Sequence, residues 1–110
     1  LKINILSFLV LAAMSHSAFS GDWGVVTKVS EINTGYSGGL ILFRTVKAHN
    51  NPKGCDAAYY AVREGDAEVS QILSVLLAAQ KSGGNIRVGV NSTKCDAGGR
   101  ISVSRIRSLP

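Results

Sequence analysis

The chain has 110 residues, 45% of them hydrophobic, with 12 Lys and Arg against 7 Asp and Glu and a formal net charge of +5. That length holds one domain with a modest core, of a size that often needs a staple or partner subunits. The charge is mild; it suits anionic partners without requiring them, and ordinary solubility is its simpler explanation.

In chain order, Lys2 supplies an early positive charge. Ile3 to Met14 is apolar except for Asn4 and Ser7, and small residues gather at Ser15, Ser17, Ala18 and Ser20. Ala18 and Ser20 fit the small-x-small pattern of a cleavage site before Gly21, so residues 1–20 read as a secretory signal peptide. A cut after Ser17 is the alternative. The apolar run is about twelve residues, short of the ~20 that a membrane span needs. Residues 21–110 are then expected as a single exported domain, secreted or periplasmic, without a membrane span. Export into an oxidising compartment predicts that Cys55 and Cys95 pair. In the chain-entropy treatment, closing that loop stabilises the fold by about 4 kcal/mol. No C-x-x-C is present to support redox activity.

Trp23 to Asn33, rich in Val, Ile and Thr, predicts a strand. Asn33 to Gly39 is a glycine-rich turn, and Leu40 to Lys47 a second strand. That strand is apolar on both faces at its start, which predicts a cover on each: the core on one, a helix or another subunit on the other. Ala48 to Asp56 is a polar loop, with Pro52 and Gly54 marking turns. Ala57 to Arg63 is a short third strand. A helix follows, with Asp66 as its N-cap, Glu68 in its first turn and Gly83 as its C-terminal stop. Val69, Ile72, Leu73 and Leu76 share one face, and Val75, Leu77 and Ala78 widen it beyond what one core needs. Those three residues are candidates for an oligomer interface; a helix sunk deep in a small core is the alternative. Ile86 to Val90 alternates as a strand, Asn91 to Gly99 is a loop, and Arg100 to Leu109 is the last strand, with a bulge expected near Ser104.

Three strands, a helix and two strands exclude a doubly wound parallel sheet. The order βββαββ fits a mainly β fold, the OB-fold-like five-stranded Greek-key barrel, a scaffold that binds oligosaccharides or oligonucleotides.

Catalytic chemistry is thinly represented. His49 is the one histidine after the export segment, no G-x-S-x-G motif accompanies it, and it reads as a solvated loop residue. A small hydrolase using His49 is the enzymatic alternative. One histidine and two paired cysteines cannot furnish a usual zinc site, so neither metal nor cofactor is expected. Glu64, Asp66 and Glu68 are better explained by the helix start than as an acid–base pair. Asn91-Ser92-Thr93 matches the N-glycosylation pattern, although the export signal does not reveal the organism. Arg105 and Arg107 share a strand face and, with Arg100, Lys53 and Lys94, could form a basic patch. Trp23, Tyr36, Tyr59 and Tyr60 are candidate stacking surfaces for a ligand. Such groups suit single-stranded nucleic acid or an acidic sugar, and export disfavours the former. Edge-strand charge that discourages strand addition is the simpler explanation of the arginines.

The segments VVTKVSEINTG and QILSVLLAAQKSGGNIRVGV, with the Cys95 loop before a final strand, resemble the binding (B) subunits of bacterial A-B toxins, the subtilase cytotoxin B subunit among them. The resemblance covers most of residues 21–110 in element order and short stretches in residues. It implies an OB-fold, a ring of five with helices lining a channel, a catalytic A subunit as partner, and sialylated or related surface glycans as ligand. The chain is shorter than that toxin subunit, and its sugar-contacting residues have no definite counterparts here. The expectation is therefore a non-enzymatic bacterial binding module; the alternative is a structural or protein-interaction domain acting through the helix face or an open strand edge.

Overall fold

A computed structural model describes residues 22–110; the expected signal peptide, residues 1–20, and the cleavage site before Gly21 lie outside the described residues. The order is β1 (Val29–Tyr36), β2 (Leu40–Thr45), β3 (Asp56–Arg63), α1 (Val69–Ser82), β4 (Asn85–Val90) and β5 (Arg100–Leu109). The fold is mainly β with one helix, in the expected sequence βββαββ. The five strands form one curled sheet in the order β1-β2-β3-β5-β4. β3 and β5 run parallel, and the other neighbours are antiparallel. The segment ahead of β1 runs back along β4, joined by Gly24 N–H to Val88 O and by reciprocal bonds between Thr27 and Ile86, each 2.9 Å. One stretch of chain thus serves both edges of the sheet and curls it into an OB-like half-barrel.

The strand expected from Trp23 to Asn33 is therefore two pieces. Trp23 and Thr27 belong to isolated rungs with β4, and β1 proper begins at Val29. β1 also runs on to Tyr36, because Gly35 takes φ 100° at a register shift between Asn33 and Tyr36, leaving a turn of only Ser37 to Gly39. A non-glycine residue would resist that backbone conformation.

The inner faces of the strands meet α1 around Phe43, Tyr60, Val62, Leu76, Ile86 and Val88. Each such side chain contributes about 1.5–3 kcal/mol through burial. β2 is covered on both faces, since Ile41, Leu42 and Phe43 are all buried. Ile41 and Phe43 enter the core. Leu42 lies in register with Ala61, and Ala61 with Ser102, giving a buried outer row across β2, β3 and β5. The second face is thus closed within one chain, and neither the helix nor another subunit is needed there.

α1 buries Ile72, Leu76 and Ala79, and Val69 and Leu73 pack against the core. Gly83 ends it with φ 69°. Asp66 is not its N-cap: the helix starts at Val69 with Glu68 in the cap position and no side-chain cap bond. A turn at Gly65, closed by Asp66 and Ala67 N–H groups on Arg63 O, takes up Asp66 before the helix begins. Ser104 is the bulged residue of β5, because Gly89 faces Arg105 while Val90 faces Val103.

Candidate functional site

Alternation along β4 sends Ile86, Val88 and Val90 into the core and Arg87 and Gly89 outward. Gly89 faces Arg105 and Arg87 faces Arg107 on β5. The glycine leaves a shelf, and the Trp23 indole lies on it: a Cβ at Gly89 would sit 3.1 Å from the ring. The guanidinium of Arg107 lies 4.3 Å from the indole centroid and that of Arg105 lies 5.0 Å from it. Arg87 Nε donates to Gly24 O at 2.7 Å, tying the third arginine to the residue after the tryptophan. The indole therefore supports two guanidiniums before it can offer a face to a ligand.

This row is electrostatically costly. Residues directly opposite in an antiparallel pair have Cβ atoms about 5 Å apart, and like charges there are destabilising. Arg87 and Arg107 occupy such a position. Among the described residues the ion pair present is Arg63–Asp96, so the row has no carboxylate partner. Guanidinium forks without internal anions are suited to a carboxylate, sulfate or phosphate from outside.

The structure thus joins Trp23, Arg105 and Arg107 of the expected site. It adds Arg87, whose outward position in the alternating β4 was readable although its neighbours were not. It does not assemble the whole basic patch. Arg100 opens β5 opposite Asp56 of β3, and its Nη1 would lie 2.9 Å from a Cβ at Gly98 in the preceding turn. Lys94 is in the loop before β5, and Lys53 in the loop before β3.

The tyrosines separate. Tyr36 stands 48% exposed at the end of β1. Tyr59 is half-buried and donates to Glu31 Oε2 at 2.9 Å, with Arg44 over its ring at 5.5 Å. Hydrogen bonds from Asn33 and then Tyr59 hold the Glu31 carboxyl below its ordinary range. Tyr60 is 2% exposed and packs on Phe43, so it offers no surface for stacking. Burial pushes its hydroxyl up in pKa, and that oxygen accepts from Asn50 N–H at 2.6 Å.

His49 is not a solvated loop residue. Its ring stacks on Tyr60 at 4.2 Å. Thr45 N–H donates to Nε2 at 3.3 Å, which assigns the proton to Nδ1, and Nδ1–H donates to Ala57 O at 2.8 Å. The β2–β3 ladder ends at Phe43 and Tyr60, and the imidazole bridges the strands where they splay apart. With both ring nitrogens taken by main chain, it is poorly placed to serve as a general base. Desolvation lowers its pKa. The rest of that loop is similarly committed, Asn51 bonding Cys55 through both its N–H and its C=O. Sequence reasoning missed this because a run of His and Asn looks the same whether it faces water or replaces strand pairing.

Cys55 and Cys95 form the expected disulfide, across a separation of 40 residues. The adjoining Asp96 is buried and anchors the loop. Asn91 Oδ1 accepts from Thr93 N–H and Oγ1–H, folding the glycosylation-like triplet into a local turn. On α1, Val75 is half-buried, Leu77 is 41% exposed and Ala78 is exposed. Val75 lines a groove of about 280 Å³ with Ile72, Ile106, Glu68 and Arg105. Among the described residues, no group of three or more His, Cys, Asp and Glu could hold a metal ion, and no helix is long and apolar enough to cross a membrane.

No protein-family model, curated protein or solved structure matches the chain.

Proposed function

We propose that this chain is an exported bacterial binding module, non-enzymatic and oligomeric, that recognises an acidic cell-surface glycan in the manner of a toxin B subunit. One observation carries the ligand class: Arg87, Arg105 and Arg107 gather around Trp23 with no carboxylate partner among the described residues. An acidic sugar supplies the missing charge to the guanidinium forks and a ring to lie against the edge of the indole. The commitment of His49 to two main-chain groups favours binding over catalysis. The oligomer, the sialylated ligand and a catalytic A partner rest on the family resemblance, with the exposed Leu77 and Ala78 face as support.

The test is a glycan array probed with the purified protein, followed by calorimetry on a matched pair of sugars that differ by one carboxylate. Retention of the acidic sugar alone, weakened by salt and by Arg105→Gln with Arg107→Gln, is expected. Equal binding of the neutral sugar, or no sugar bound at all, removes the glycan reading. Light scattering reads the oligomeric state, and a monomer at micromolar concentration removes the ring.

The groove between α1 and β5, with Leu77 exposed elsewhere on the same helix, favours a second reading: a protein-interaction domain. Capture of one periplasmic protein by the wild type but not by Leu77→Lys, with no sugar bound, would select it.

A further inference from the structure

Five large apolar side chains stand exposed among the described residues; Val26 at 41% and Val46 at 70% line one groove, and Val25 at 61% precedes Val26 in the chain. Val25 and Val26 lie in the segment that runs along β4, and Val46 immediately follows β2. Val46 N–H donates to Lys28 O at 2.9 Å, which fixes the two segments side by side. Val26 and Val46 line one shallow groove of about 250 Å³ together with Lys28, Lys47 and Asn85. The groove's charged lining is Lys47 and Lys28, the latter steadied by its bond to Gly83 O, and no Asp or Glu is among its lining residues.

We propose that this valine tip and its lysine rim form a contact for the surface of an anionic lipid bilayer. The proposal is independent of the glycan reading and of the arginine row.

Two arguments select a bilayer over a protein. A stable protein interface buries about 800 Å² on each partner, and three valines with a few lysines are far smaller than that. An interfacial lipid contact needs only a small apolar group below the headgroups and cations level with them. Charge complementarity selects anionic headgroups, since the tip carries lysines without a compensating acid. Exposed apolar side chains clustered on a soluble domain mark an interaction site, whereas scattered ones carry no such meaning.

Cosedimentation with phosphatidylcholine vesicles, with and without phosphatidylglycerol, tests the proposal. The protein is expected to sediment with the anionic vesicles only and to be released by salt. Lys47→Gln should lower the partition coefficient about fivefold, the effect of one cation near the surface. Val46→Asp should lower it at least tenfold. Both positions are exposed, so circular dichroism should show an unchanged fold. Arg105→Gln with Arg107→Gln is the control, and it should leave vesicle binding intact while abolishing acidic-sugar binding. Failure of sugar binding alone would refute the glycan reading and spare this one. Equal binding to neutral vesicles, absence of binding, or loss in the arginine variant but not in Val46→Asp would overturn it. So would self-association that Val46→Asp abolishes in the absence of lipid.

Discussion

Among the described residues, Asp96 makes more side-chain hydrogen bonds than any other. It has no exposed side-chain surface. Oδ1 accepts from Gly98 N–H at 3.0 Å and Arg100 N–H at 2.8 Å, and Oδ2 accepts from Arg63 Nε at 3.2 Å and Nη2 at 2.9 Å. Asp96→Ala removes all four acceptor contacts. Hydrogen bonds to a charged group contribute about 1.5–3 kcal/mol each, but neighbours in one network do not add. Breaking a buried pair costs about 3–5 kcal/mol. Arg63 is 29% exposed and can recover water, which places the loss at the low end, near 3 kcal/mol. A domain of this size loses about 4–8 °C of Tm per kcal/mol, so the midpoint should fall by roughly 12–24 °C. Calorimetry of the oxidised protein, with guanidinium unfolding beside it, measures the change. Asp96→Asn should fall between wild type and alanine, because its amide turns a donor towards Arg63 while still accepting from the loop. Paired with Arg63→Met, it completes a double-mutant cycle for the pair. A loss below about 1 kcal/mol for Asp96→Ala would refute the claim that this carboxylate organises the disulfide loop.

Three further outcomes follow from the same geometry. His49 has its pKa depressed by desolvation, so its contribution to stability is whole above the ordinary value of about 6.5 and is lost as pH falls through the lower folded value; thermal melts of His49→Gln should lack that part of the acid-side decline, and identical pH profiles would contradict the bridging role. Arg107→Gln relieves the repulsion with Arg87 and forfeits a cation–π contact, effects of about 0.5–1 kcal/mol each that nearly cancel, so calorimetry should show stability unchanged while acidic-sugar affinity drops at least tenfold. Cys55→Ser with Cys95→Ser should cost about 2–4 kcal/mol in guanidinium unfolding, and a smaller effect would mean that the Asp96 network already holds the loop.

Much of the fold was legible because its signals are local. Ile86, Val88 and Val90 alternate, Ile72 and Leu76 share a helical face, and Gly83 stops the helix; each pattern is complete within a few residues. The errors arose where distant chain decided the outcome. Trp23 to Lys28 has the composition of a strand, but its partner is β4, about sixty residues on, so one apparent strand became two. Asp66 is a good capping residue by type, yet the Gly65 turn on Arg63 O claims it first. Of the candidate site, Arg105 and Arg107 could be paired from their spacing. Arg87 and Trp23 could not be added, because cross-strand register and the missing side chain at Gly89 bring them together. Tyr60 reads as a surface aromatic in sequence and is core because Asn50 satisfies its hydroxyl from the loop.

The cations of this chain fall into groups with different explanations. Arg63 has Asp96, and Lys28 donates to Gly83 O, where the negative end of the α1 dipole favours it. Each of these charges has a partner inside the fold. Arg87, Arg105 and Arg107 are held in place by Gly24 O and the Trp23 ring, contacts that position guanidiniums without neutralising them. Lys47 stands beside an exposed valine and has no acid near it in the chain. Edge protection alone would account for scattered lysines on an exposed strand. It does not account for an arginine pair set directly opposite across β4 and β5, where the sheet already satisfies both strands and the two charges repel each other. The Trp23 and Gly24 contacts offset that repulsion without neutralising it, and an external anion lying across the row would do so.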